Sequence, residues 1–507
     1  MFHTSDCKKY CRCSRQFWLS WKEPLPPFSP FVRMDGDLTE LACRKLGVDP
    51  DMNFRGIRGD DPQRAKEALN WADWLISPRF EAADLRVKIP FLHRTEAGWD
   101  VYFLYGGHFP TEAEAFGFGL SLWVLQQQSI PVSHVRLIHL NHRYVRGAQL
   151  DPQELLLISD HFYNEAGRPK RAIEEVLRQQ RLEVSALLQQ MRSCLDQPAP
   201  PPWRRPCCTR RNKCAYYQRC FPQEQQLEAD SIMTLVSSQH KADMAAMGRL
   251  RLQDADLQQL EGTRQQFAQI RAAQQGGCYV DVLGLQSWMD SVLKEPLCFL
   301  DFEWETYAIP PYEGMRCYQP LPFQYSLHIQ NEDGSLIHRE YIGVHDCRRE
   351  WIERLLADLP CRGSILAYNA EGAEKIRLQE LAQQFPCYAP QLKRIAARMV
   401  DLSFPFQSGL VYDLRMRGMY SLKALLPIAD ATQNYQDLDI HQGMEAVLQW
   451  RQLDLQDPQA DPAAIRAHLL EYCGMDTYSM IVVLRWLKRL VREHQPAFRK
   501  QNDPVAG

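Results

Sequence analysis

The clearest pattern of apolar and polar positions lies in the second half of the chain, where residues 298–300 predict a buried β-strand. The strand runs into Asp301-Phe-Glu303, and side chains at i and i+2 of a strand point the same way. Two carboxylates that close together repel each other unless a cation or a shared proton offsets their charge. A lone Asp-x-Glu is usually a solvated strand end, so a divalent-metal site here depends on the segments that follow.

Two later segments can bring further acidic side chains to this pair. Residues 364–367 predict a short strand that turns into a helix, with Glu374 in the first helical turn. Apolar positions at helical spacing predict a long amphipathic helix over about 463–490. Tyr472 and Asp476 share one face of this helix, since they are four residues apart.

The remaining segments predict a β-hairpin and a helical connector. In the first half, 85–94 and 99–107 are the two strands of the hairpin. Gln-rich stretches such as 254–275 have apolar residues at helical spacing, and Gly276-Gly277 ends the pattern, so we expect a helical hairpin between domains. These elements predict an α/β protein, and its 507 residues exceed one ordinary core, so two domains are expected.

In their order along the chain, the three acidic segments resemble the three motifs of the DEDD exonucleases, which have an RNase H-like fold. The resemblance implies two divalent ions, Mg²⁺ or Mn²⁺, of which one activates water and the other stabilises the leaving oxygen. It gives Tyr472 the role of orienting or deprotonating the attacking water. Polarity from 3′ to 5′ is implied by the resemblance alone. The metal ligands that it implies are Asp301, Glu303, Glu374 and Asp476.

The second motif departs from the family pattern, which has Asp after an aromatic residue where this chain has Ala373-Glu374. Glutamate can bind magnesium, but its longer side chain alters the metal spacing, and Glu371 competes for the role. Asp401 either supports the site or only caps a helix. The presence of Glu374 where the family has aspartate favours an alternative. In that alternative, the catalytic site has decayed and the protein only binds nucleic acid or assembles with partners. Retention of the other motif residues favours an enzyme.

The cysteines supply the second strong pattern. Three of them are separated by equal six-residue steps, and a cluster near the N-terminus can supply a fourth thiolate; they are Cys208, Cys214 and Cys220, then Cys7, Cys11 and Cys13. Four thiolates can hold an iron–sulfur cluster or a zinc ion, and reduced free thiols are the plain alternative. Spacing alone does not separate the cluster from zinc.

This layout of one early cysteine and three late ones resembles the RecB-like iron–sulfur nucleases. Their first ligand precedes an Arg/Lys-aromatic-Trp-Leu pattern, which here follows Cys13 as Arg15-Gln-Phe17-Trp18-Leu19. The resemblance therefore selects Cys13 and favours a 4Fe–4S cluster over zinc. The implied cluster ligands are Cys13, Cys208, Cys214 and Cys220.

The combined motifs resemble an uncharacterised bacterial family that joins a RecB-like iron–sulfur nuclease module to a DEDD exonuclease module. The likeness spans the chain and is most specific in its C-terminal half. It implies four segments: a RecB-like domain of the PD-(D/E)XK class at 1–222, a helical connector at 223–296, an RNase H-like domain at 297–492 and a polar tail at 493–507.

The first domain lacks the catalytic residues of its apparent relatives. A PD-(D/E)XK nuclease needs Asp on one hairpin strand and Glu-x-Lys on the next, but Phe103 and Tyr105 occupy the Glu and Lys positions. Pro90 lies about where the Asp is expected. Asp84 and Asp100 could substitute, yet neither has a lysine at suitable spacing. We therefore expect a degenerate nuclease domain that serves as a scaffold or a nucleic-acid platform.

The net charge of −3 means that nucleic-acid binding requires a local basic surface. The stretch 203–222 contains no acidic residue, and Trp203, Tyr216 and Tyr217 are interleaved with cations, which suits phosphate contacts and base stacking on single-stranded DNA. An alternative of equal weight is that this stretch is a solvated loop whose cations offset the negative charge of a thiolate-ligated cluster. RNA is an alternative substrate. The cations of the patch include Arg204, Arg205, Arg210, Arg211 and Lys213.

The cellular compartment is predicted from the sixteen cysteines and from the absence of recognisable targeting signals. The N-terminus lacks the apolar core of a secretory signal, and no apolar run is long enough to cross a bilayer. Thiols outside a secretory context favour metal ligation over disulfides. These features predict a cytoplasmic protein without a membrane partner, acting in DNA processing or repair.

Overall fold

The computed structural model describes residues 1–25, 34–203, 208, 214–222 and 228–494, without the side chains of 34–37. The chain divides into two compact units. Unit 1 comprises Met1–Pro222 and Tyr307–Gln319, and unit 2 comprises Gln223–Thr306 and Pro320–Gly507. The expected connector is therefore part of unit 2, whereas 307–319, expected in the C-terminal domain, is part of unit 1.

Unit 1 combines helices with mixed sheets. Its strands are β1 (Phe2–His3), β2 (Phe54–Arg55), β3 (Trp74–Ile76), β4 (Arg79–Ala82), β5 (Leu85–Lys88), β6 (Phe91–Thr95), β7 (Gly98–Tyr105), β8 (Val132–Leu140), β9 (Leu156–Ser159), β10 (His161–Tyr163) and β11 (Pro169–Ala172). They form sheets of order β2-β3-β6-β7-β8-β9, β1-β5-β4 and β10-β11. Its helices are α1 (Thr4–Arg12), α2 (Ser14–Lys22), α3 (Met34–Leu46), α4 (Pro62–Ala68), α5 (Ala115–Gln127), α6 (Pro152–Leu155), α7 (Ile173–Gln179), α8 (Val184–Asp196) and α9 (Tyr217–Cys220).

The predicted hairpin strand at 85–94 is two strands of different sheets. Strand β5 ends at Lys88, β6 begins at Phe91, and only β6 pairs with β7. The break falls at Pro90, which has no N–H for a sheet ladder. The carbonyl of Pro90 instead accepts a hydrogen bond from the backbone N–H of Ser77 at 2.8 Å. Proline therefore divides an apolar pattern that looks continuous in the sequence.

Unit 2 is also mixed α/β. Its strands are β12 (Cys278–Val280), β13 (Leu297–Thr306), β14 (Pro320–Gln330), β15 (Leu336–Ile342), β16 (Ser364–Ala367), β17 (Met399–Asp401) and β18 (Val411–Asp413). Its helices are α10 (Lys241–Ala246), α11 (Arg264–Gln274), α12 (Val282–Val292), α13 (Arg348–Asp358), α14 (Glu374–Gln384), α15 (Ala389–Arg398), α16 (Phe404–Gln407), α17 (Leu422–Ala429), α18 (Gly443–Asp454) and α19 (Pro462–His494).

A five-stranded sheet of order β15-β14-β13-β16-β17 forms the centre of unit 2. Strand β14 is antiparallel to β13 and β15, whereas β13, β16 and β17 run parallel. Cys298, Leu300 and Phe302 of β13 join an apolar core with residues of α13, α14 and α15. Because side chains alternate along a strand, Asp301 and Glu303 lie on the opposite face, against which α19 packs.

Helix α19 agrees with the predicted amphipathic helix and is slightly longer. Asp461 precedes it, and its Oδ1 accepts a hydrogen bond from the backbone N–H of Ala463 at 3.0 Å. Pro462 occupies the first turn, where its missing N–H costs nothing. Among the described residues, no helix combines the length and apolar character that crossing a membrane requires.

The segment 254–275 differs from its prediction. The regular helix α11 begins only after Gly262, whose φ of +72° lies in the left-handed region that favours glycine. Thr263 then caps the helix by accepting a hydrogen bond from the backbone N–H of Gln266.

The face of α11 that is buried also differs from the expected one. Phe267 is exposed, whereas Gln266 and Gln269 are buried. The Gln269 amide donates hydrogen bonds to the Thr234 carbonyl and to the Tyr412 hydroxyl, both at 3.0 Å. The buried amide of Gln269 is tolerated because these partners satisfy its N–H groups, and they come from distant parts of the chain.

Candidate metal centre

Three carboxylates converge on the face of the five-stranded sheet that α19 covers. Asp301 and Glu303 belong to β13, and Asp476 belongs to α19. One oxygen from each of the three lies within 4.8 Å of the other two. Within the part of the chain that the structure describes, no other three His, Cys, Asp or Glu side chains meet this distance.

Glu374 is the first residue of α14 and faces the same cluster. Its side chain is buried, and its Oε2 has no hydrogen-bond partner among the described residues. Its charge interacts with those of Asp301 and Asp476. Glu371, the competing candidate, is exposed and forms an ion pair with Lys375. Glu374 is therefore close enough to interact with the three carboxylates, although it lies outside the group whose oxygens are all within 4.8 Å of one another, whereas Glu371 is exposed.

Asp401, the last residue of β17, holds the turn that leads to Glu374 and the segment that leads to α16. Its Oδ1 accepts hydrogen bonds from the backbone N–H groups of Asn369 at 3.0 Å and Ser403 at 2.8 Å. Asn369 has a φ of 64°, a left-handed conformation that asparagine tolerates better than most residues. One carboxylate oxygen of Asp401 thus holds both the turn before α14 and the residue that precedes α16.

Burial and mutual repulsion make the four carboxylates hard to ionise together. Burial, then the charge of Asp476, raises the pKa values of Asp301 and Glu303 well above their usual range. Burial raises the pKa of Glu374 to about 7 and that of Asp476 to about 6. An unpartnered buried oxygen among crowded carboxylates fits a hard divalent ion, since Mg²⁺ and Mn²⁺ prefer oxygen ligands and offset negative charge.

These shifts predict how the stability of metal-free protein depends on pH. Between about pH 4 and 7, the folded chain holds protons on Glu374 and Asp476 that the unfolded chain has lost. The free energy of unfolding should therefore fall as pH rises through this window, by a few kcal/mol from this cluster. Urea denaturation in EDTA at several pH values, on wild type and Asp476→Asn, measures the effect.

The free energy of unfolding of Asp476→Asn should fall less with rising pH than that of wild type. The reason is that the variant lacks the Asp476 carboxyl, whose pKa is raised in the folded chain. Adding Mg²⁺ near pH 7 should restore stability to wild type, since the cation offsets the carboxylate charges. Equal pH profiles for wild type and Asp476→Asn would contradict this interpretation of the cluster.

Tyr472 lies one helical turn before Asp476 and keeps its proton. Burial and the neighbouring carboxylates, Asp476 first, raise the pKa of Tyr472 far above its usual range. Lys423 donates a hydrogen bond to the Tyr472 hydroxyl at 3.0 Å, and its Nζ lies 4.8 Å from the centre of the Tyr472 ring. Lys423 also lowers the pKa values of Glu303 and Asp476, which burial raises overall.

The sequence reasoning missed Lys423 and Tyr435 as residues of this site. The Tyr435 hydroxyl donates a hydrogen bond to Asp476 Oδ1 at 2.6 Å. One signal was available for Lys423, because it is the single charged residue in the otherwise apolar helix α17. Tyr435 carries no comparable signal, since it lies outside any regular element and reaches Asp476 only through the fold.

The four cysteines expected to bind a cluster line one cavity of unit 1; they are Cys13, Cys208, Cys214 and Cys220. Two N–H groups point at their sulfurs, because Arg15 donates to Cys220 at 3.3 Å and the backbone of Gln16 donates to Cys13 at 3.4 Å. Such hydrogen bonds stabilise thiolates in iron–sulfur sites. Among the other described cysteines, Cys7 is buried and Cys11 is exposed, and neither lines this cavity. Cys207 lies outside the described residues.

The spacing of these sulfurs bears on the choice between zinc and a cluster. Four sulfurs bound to zinc at about 2.3 Å lie roughly 3.8 Å apart at the tetrahedral angle. No three of the described cysteines have sulfurs that all lie within 4.8 Å of one another. Some of these sulfurs are therefore farther apart than they would be around a bound zinc ion.

In unit 1, the positions weighed as nuclease catalytic positions hold side chains that make structural contacts. The Phe103 ring is buried and stacks on Phe118, with ring centres 4.0 Å apart. Asp100 is buried in β7, and Asp84 pairs with Arg192 at 2.6 Å. Neither aspartate belongs to a set of three metal-ligating groups among the described residues.

The basic patch lies mostly beyond what the structure describes. Trp203 is exposed, but Tyr216 is buried and its hydroxyl donates a hydrogen bond to the Glu23 carbonyl at 3.2 Å. Tyr217 lines the cysteine cavity. The expectation that Tyr216 stacks on bases is therefore wrong, because its ring packs inside unit 1. The cations that lie outside the described residues are Arg204, Arg205, Arg210, Arg211 and Lys213.

One family model matches the chain, over residues 298–421, and it is described as a domain of unknown function (DUF2779). The matched range includes Asp301, Glu303 and Glu374 and ends before Tyr472 and Asp476. No curated protein and no solved structure matches the chain.

Proposed function

We propose that this protein is a metal-dependent exonuclease that hydrolyses phosphodiester bonds at single-stranded DNA ends, in DNA processing or repair. The observation that carries the proposal is the convergence of Asp301, Glu303 and Asp476 within 4.8 Å. The unpartnered, buried Oε2 of Glu374 supports it, since this oxygen faces the same cluster. Carboxylates arranged in this way suit two divalent ions that act on a phosphodiester.

The topology of unit 2 supports an RNase H-like fold for the exonuclease. Three antiparallel strands, β13 to β15, are followed by the parallel strands β16 and β17 in the order β15-β14-β13-β16-β17. Helix α19 covers the face that carries the carboxylates of β13. This arrangement is the one that the three DEDD motifs imply.

The proposed chemistry divides between the bound ions and the side chains. Divalent ions, when bound, would activate the attacking water and stabilise charge on the leaving oxygen. Asp301, Glu303, Glu374 and Asp476 would hold them. Tyr472, which lies one helical turn before Asp476, would orient or deprotonate the attacking water.

Unit 1 has a different proposed role. We infer a degenerate PD-(D/E)XK domain that carries a 4Fe–4S cluster on Cys13, Cys208, Cys214 and Cys220. The cluster would join the start of this unit to its end, and closing a long loop is where a metal clip stabilises most. The packing of Phe103 and the absence of a second three-ligand set among the described residues support a role without hydrolysis.

A nuclease assay on the full chain tests the proposal. Single-stranded DNA and RNA of one sequence, each labelled at the 5′ end, are incubated in parallel with Mg²⁺ or Mn²⁺. A 3′ to 5′ exonuclease should shorten the linear DNA to a ladder of labelled products and leave circular single-stranded DNA intact. Faster digestion of RNA would assign the alternative substrate. Failure to shorten either strand with either ion would overturn the proposal.

Replacing Lys423 by Met should reduce the turnover rate by about 10²-fold, because it removes the positive charge beside Tyr472 and Asp476. The turnover rate and KM on linear single-stranded DNA measure the effect. Lys375→Met is the matched control, since Lys375 pairs with the exposed Glu371. Equal turnover rates for the two variants would contradict a role for Lys423 in the site.

A further inference from the structure

A buried hydrogen-bond network joins α19 to β14 beside the metal centre. The Ser326 hydroxyl of β14 lies 2.7 Å from the Thr477 hydroxyl of α19, and Nδ1 of His328 lies 2.8 Å from the same Thr477 hydroxyl. All three side chains are buried. Thr477 directly follows Asp476 in α19. Ser326 lies directly opposite Asp301 in the antiparallel ladder, so the network ties the neighbour of one carboxylate to the strand partner of another.

One set of donors and acceptors satisfies every contact of the network. The Thr477 hydroxyl lies 3.0 Å from the Gly474 carbonyl, which can only accept, so Thr477 donates there. Ser326 and Nδ1 of His328 then both donate to Thr477, whose oxygen has two lone pairs. Nε2 of His338 donates in turn to Ser326 at 2.9 Å. Burial lowers the pKa of His328 to about 4, which keeps its imidazole neutral at ordinary pH.

Such a network fixes the position of α19 more sharply than apolar packing does. Apolar contacts have no preferred direction, whereas a buried donor that loses its acceptor carries the full cost of its desolvation. If α19 slid or turned by one residue, Ser326 and His328 would lose the Thr477 hydroxyl. Gln324 adds a further bond from β14 to α19, because its amide donates to the Leu469 carbonyl at 2.7 Å.

The position of α19 sets the distance between its own carboxylate and those of β13. Asp301 and Glu303 keep their spacing within one strand, but Asp476 reaches them only because α19 packs on the sheet. Oxygens of the three lie within 4.8 Å of one another. A metal centre needs its ligands within about 0.5 Å of the productive geometry, so even a small shift of α19 weakens the binding of an ion.

We propose that Thr477 is a positioning residue of the metal centre, which holds Asp476 at the distance from Asp301 that a divalent ion requires. It acts through its hydrogen bonds with Ser326 and His328. The effect on hydrolysis rests on the exonuclease activity proposed above, whereas the effect on ion affinity does not. Because the residue acts through the position of α19, its loss should lower the affinity for the ion more than the rate at saturating ion.

Titration of the full-length protein with Mn²⁺, with the free ion measured by electron paramagnetic resonance, tests the proposal. Thr477→Val keeps the shape of the side chain and removes its hydroxyl, so Mn²⁺ should bind about 10-fold more weakly than to wild type. Thr477→Ser keeps the hydroxyl and should bind Mn²⁺ nearly as well as wild type. Asp301→Asn lacks one carboxylate of the centre, so it measures the Mn²⁺ that binds elsewhere on the protein.

Thr234→Val is the matched control for the loss of a buried hydroxyl. Thr234 is another buried threonine of unit 2, and its hydroxyl donates to the Ser231 carbonyl at 2.7 Å. This variant should bind Mn²⁺ as wild type does. Equal affinities of Thr477→Val and wild type would overturn the inference. So would equal losses in Thr477→Val and Thr477→Ser, because the hydroxyl would then not be the group that matters.

Hydrolysis of linear single-stranded DNA separates this inference from the proposed function. In Thr477→Val, the Mg²⁺ concentration that gives half the maximal rate should rise about 10-fold, and the rate at saturating Mg²⁺ should change far less. If wild type binds Mn²⁺ but cuts no strand, and Thr477→Val binds Mn²⁺ more weakly, the positioning role stands and the proposed function fails. An unchanged Mg²⁺ dependence in an active Thr477→Val would overturn the inference and leave the proposed function standing.

Should Thr477→Val fail to fold, Ser326→Ala decides the matter. It removes one of the two hydrogen bonds that the Thr477 hydroxyl accepts, and His338, which loses its acceptor, is exposed and can bond to water instead. Ser326→Ala should weaken Mn²⁺ binding by up to about 10-fold. An unchanged affinity in this variant, or a wild type whose Mn²⁺ binding equals that of Asp301→Asn, would refute the positioning role.

Discussion

Replacing Asp301 by Asn should reduce Mg²⁺-dependent hydrolysis of single-stranded DNA by at least about 10³-fold, since the lost charge removes several kcal/mol of metal-assisted stabilisation. The same change should leave the metal-free protein as stable as wild type or more stable. Asp301 is buried among Glu303, Glu374 and Asp476, so a neutral side chain relieves repulsion. Initial rates and thermal denaturation in EDTA measure the two effects.

The opposite directions of these effects separate a role in the reaction from a role in folding. Mg²⁺ should raise the melting temperature of wild type but not of Asp301→Asn, because ion binding stabilises only a protein that can hold the ion. Glu371→Gln is the matched control, since Glu371 is exposed and pairs with Lys375. Full activity in Asp301→Asn would refute the metal centre.

If unit 1 binds the proposed iron–sulfur cluster, replacing Cys220 by Ser should prevent iron binding and destabilise that unit by several kcal/mol, because the energy of metal binding is also folding energy. Cys220 lines the cavity with the other three cysteines and accepts a hydrogen bond from Arg15. Anaerobically purified wild type should be brown and contain iron and acid-labile sulfide. The iron content and the unfolding curves of wild type and variant measure the effect.

Cys11→Ser is the control for this experiment, because Cys11 is exposed and does not line the cavity. It should retain iron and stability. Colourless wild-type protein with stoichiometric zinc would keep the metal clip and refute the cluster. Unchanged stability and metal content in Cys220→Ser would refute both.

Local spacing explains what the sequence could predict about the metal centre. Asp301 and Glu303 share a strand face, and Tyr472 and Asp476 share a helix face, because the periods of strands and helices are set by the backbone. The helix at 463–490 was predicted within a few residues of Pro462–His494 for the same reason. The four cysteines were selected by a resemblance, and the structure places them around one cavity.

Some features of the site and of α11 could not be predicted from the sequence, because they depend on contacts between residues far apart in the chain. Lys423 and Tyr435 reach the centre from segments with no acidic motif, and they contact Tyr472 and Asp476 only after the chain has folded. Gln269 is buried because Thr234 and Tyr412 accept its hydrogen bonds, which a helical pattern of apolar residues cannot reveal.

The sequence by itself determined the α/β class and the faces of β13 and α19 that carry acidic residues, because these follow from the short periods of strands and helices. Only the tertiary structure decided that Glu374 rather than Glu371 faces Asp301, and that the Thr477 hydroxyl meets Ser326 and His328. The physical reason is that burial and charge act through space. A carboxylate becomes hard to ionise only when residues far apart in the chain are packed around it.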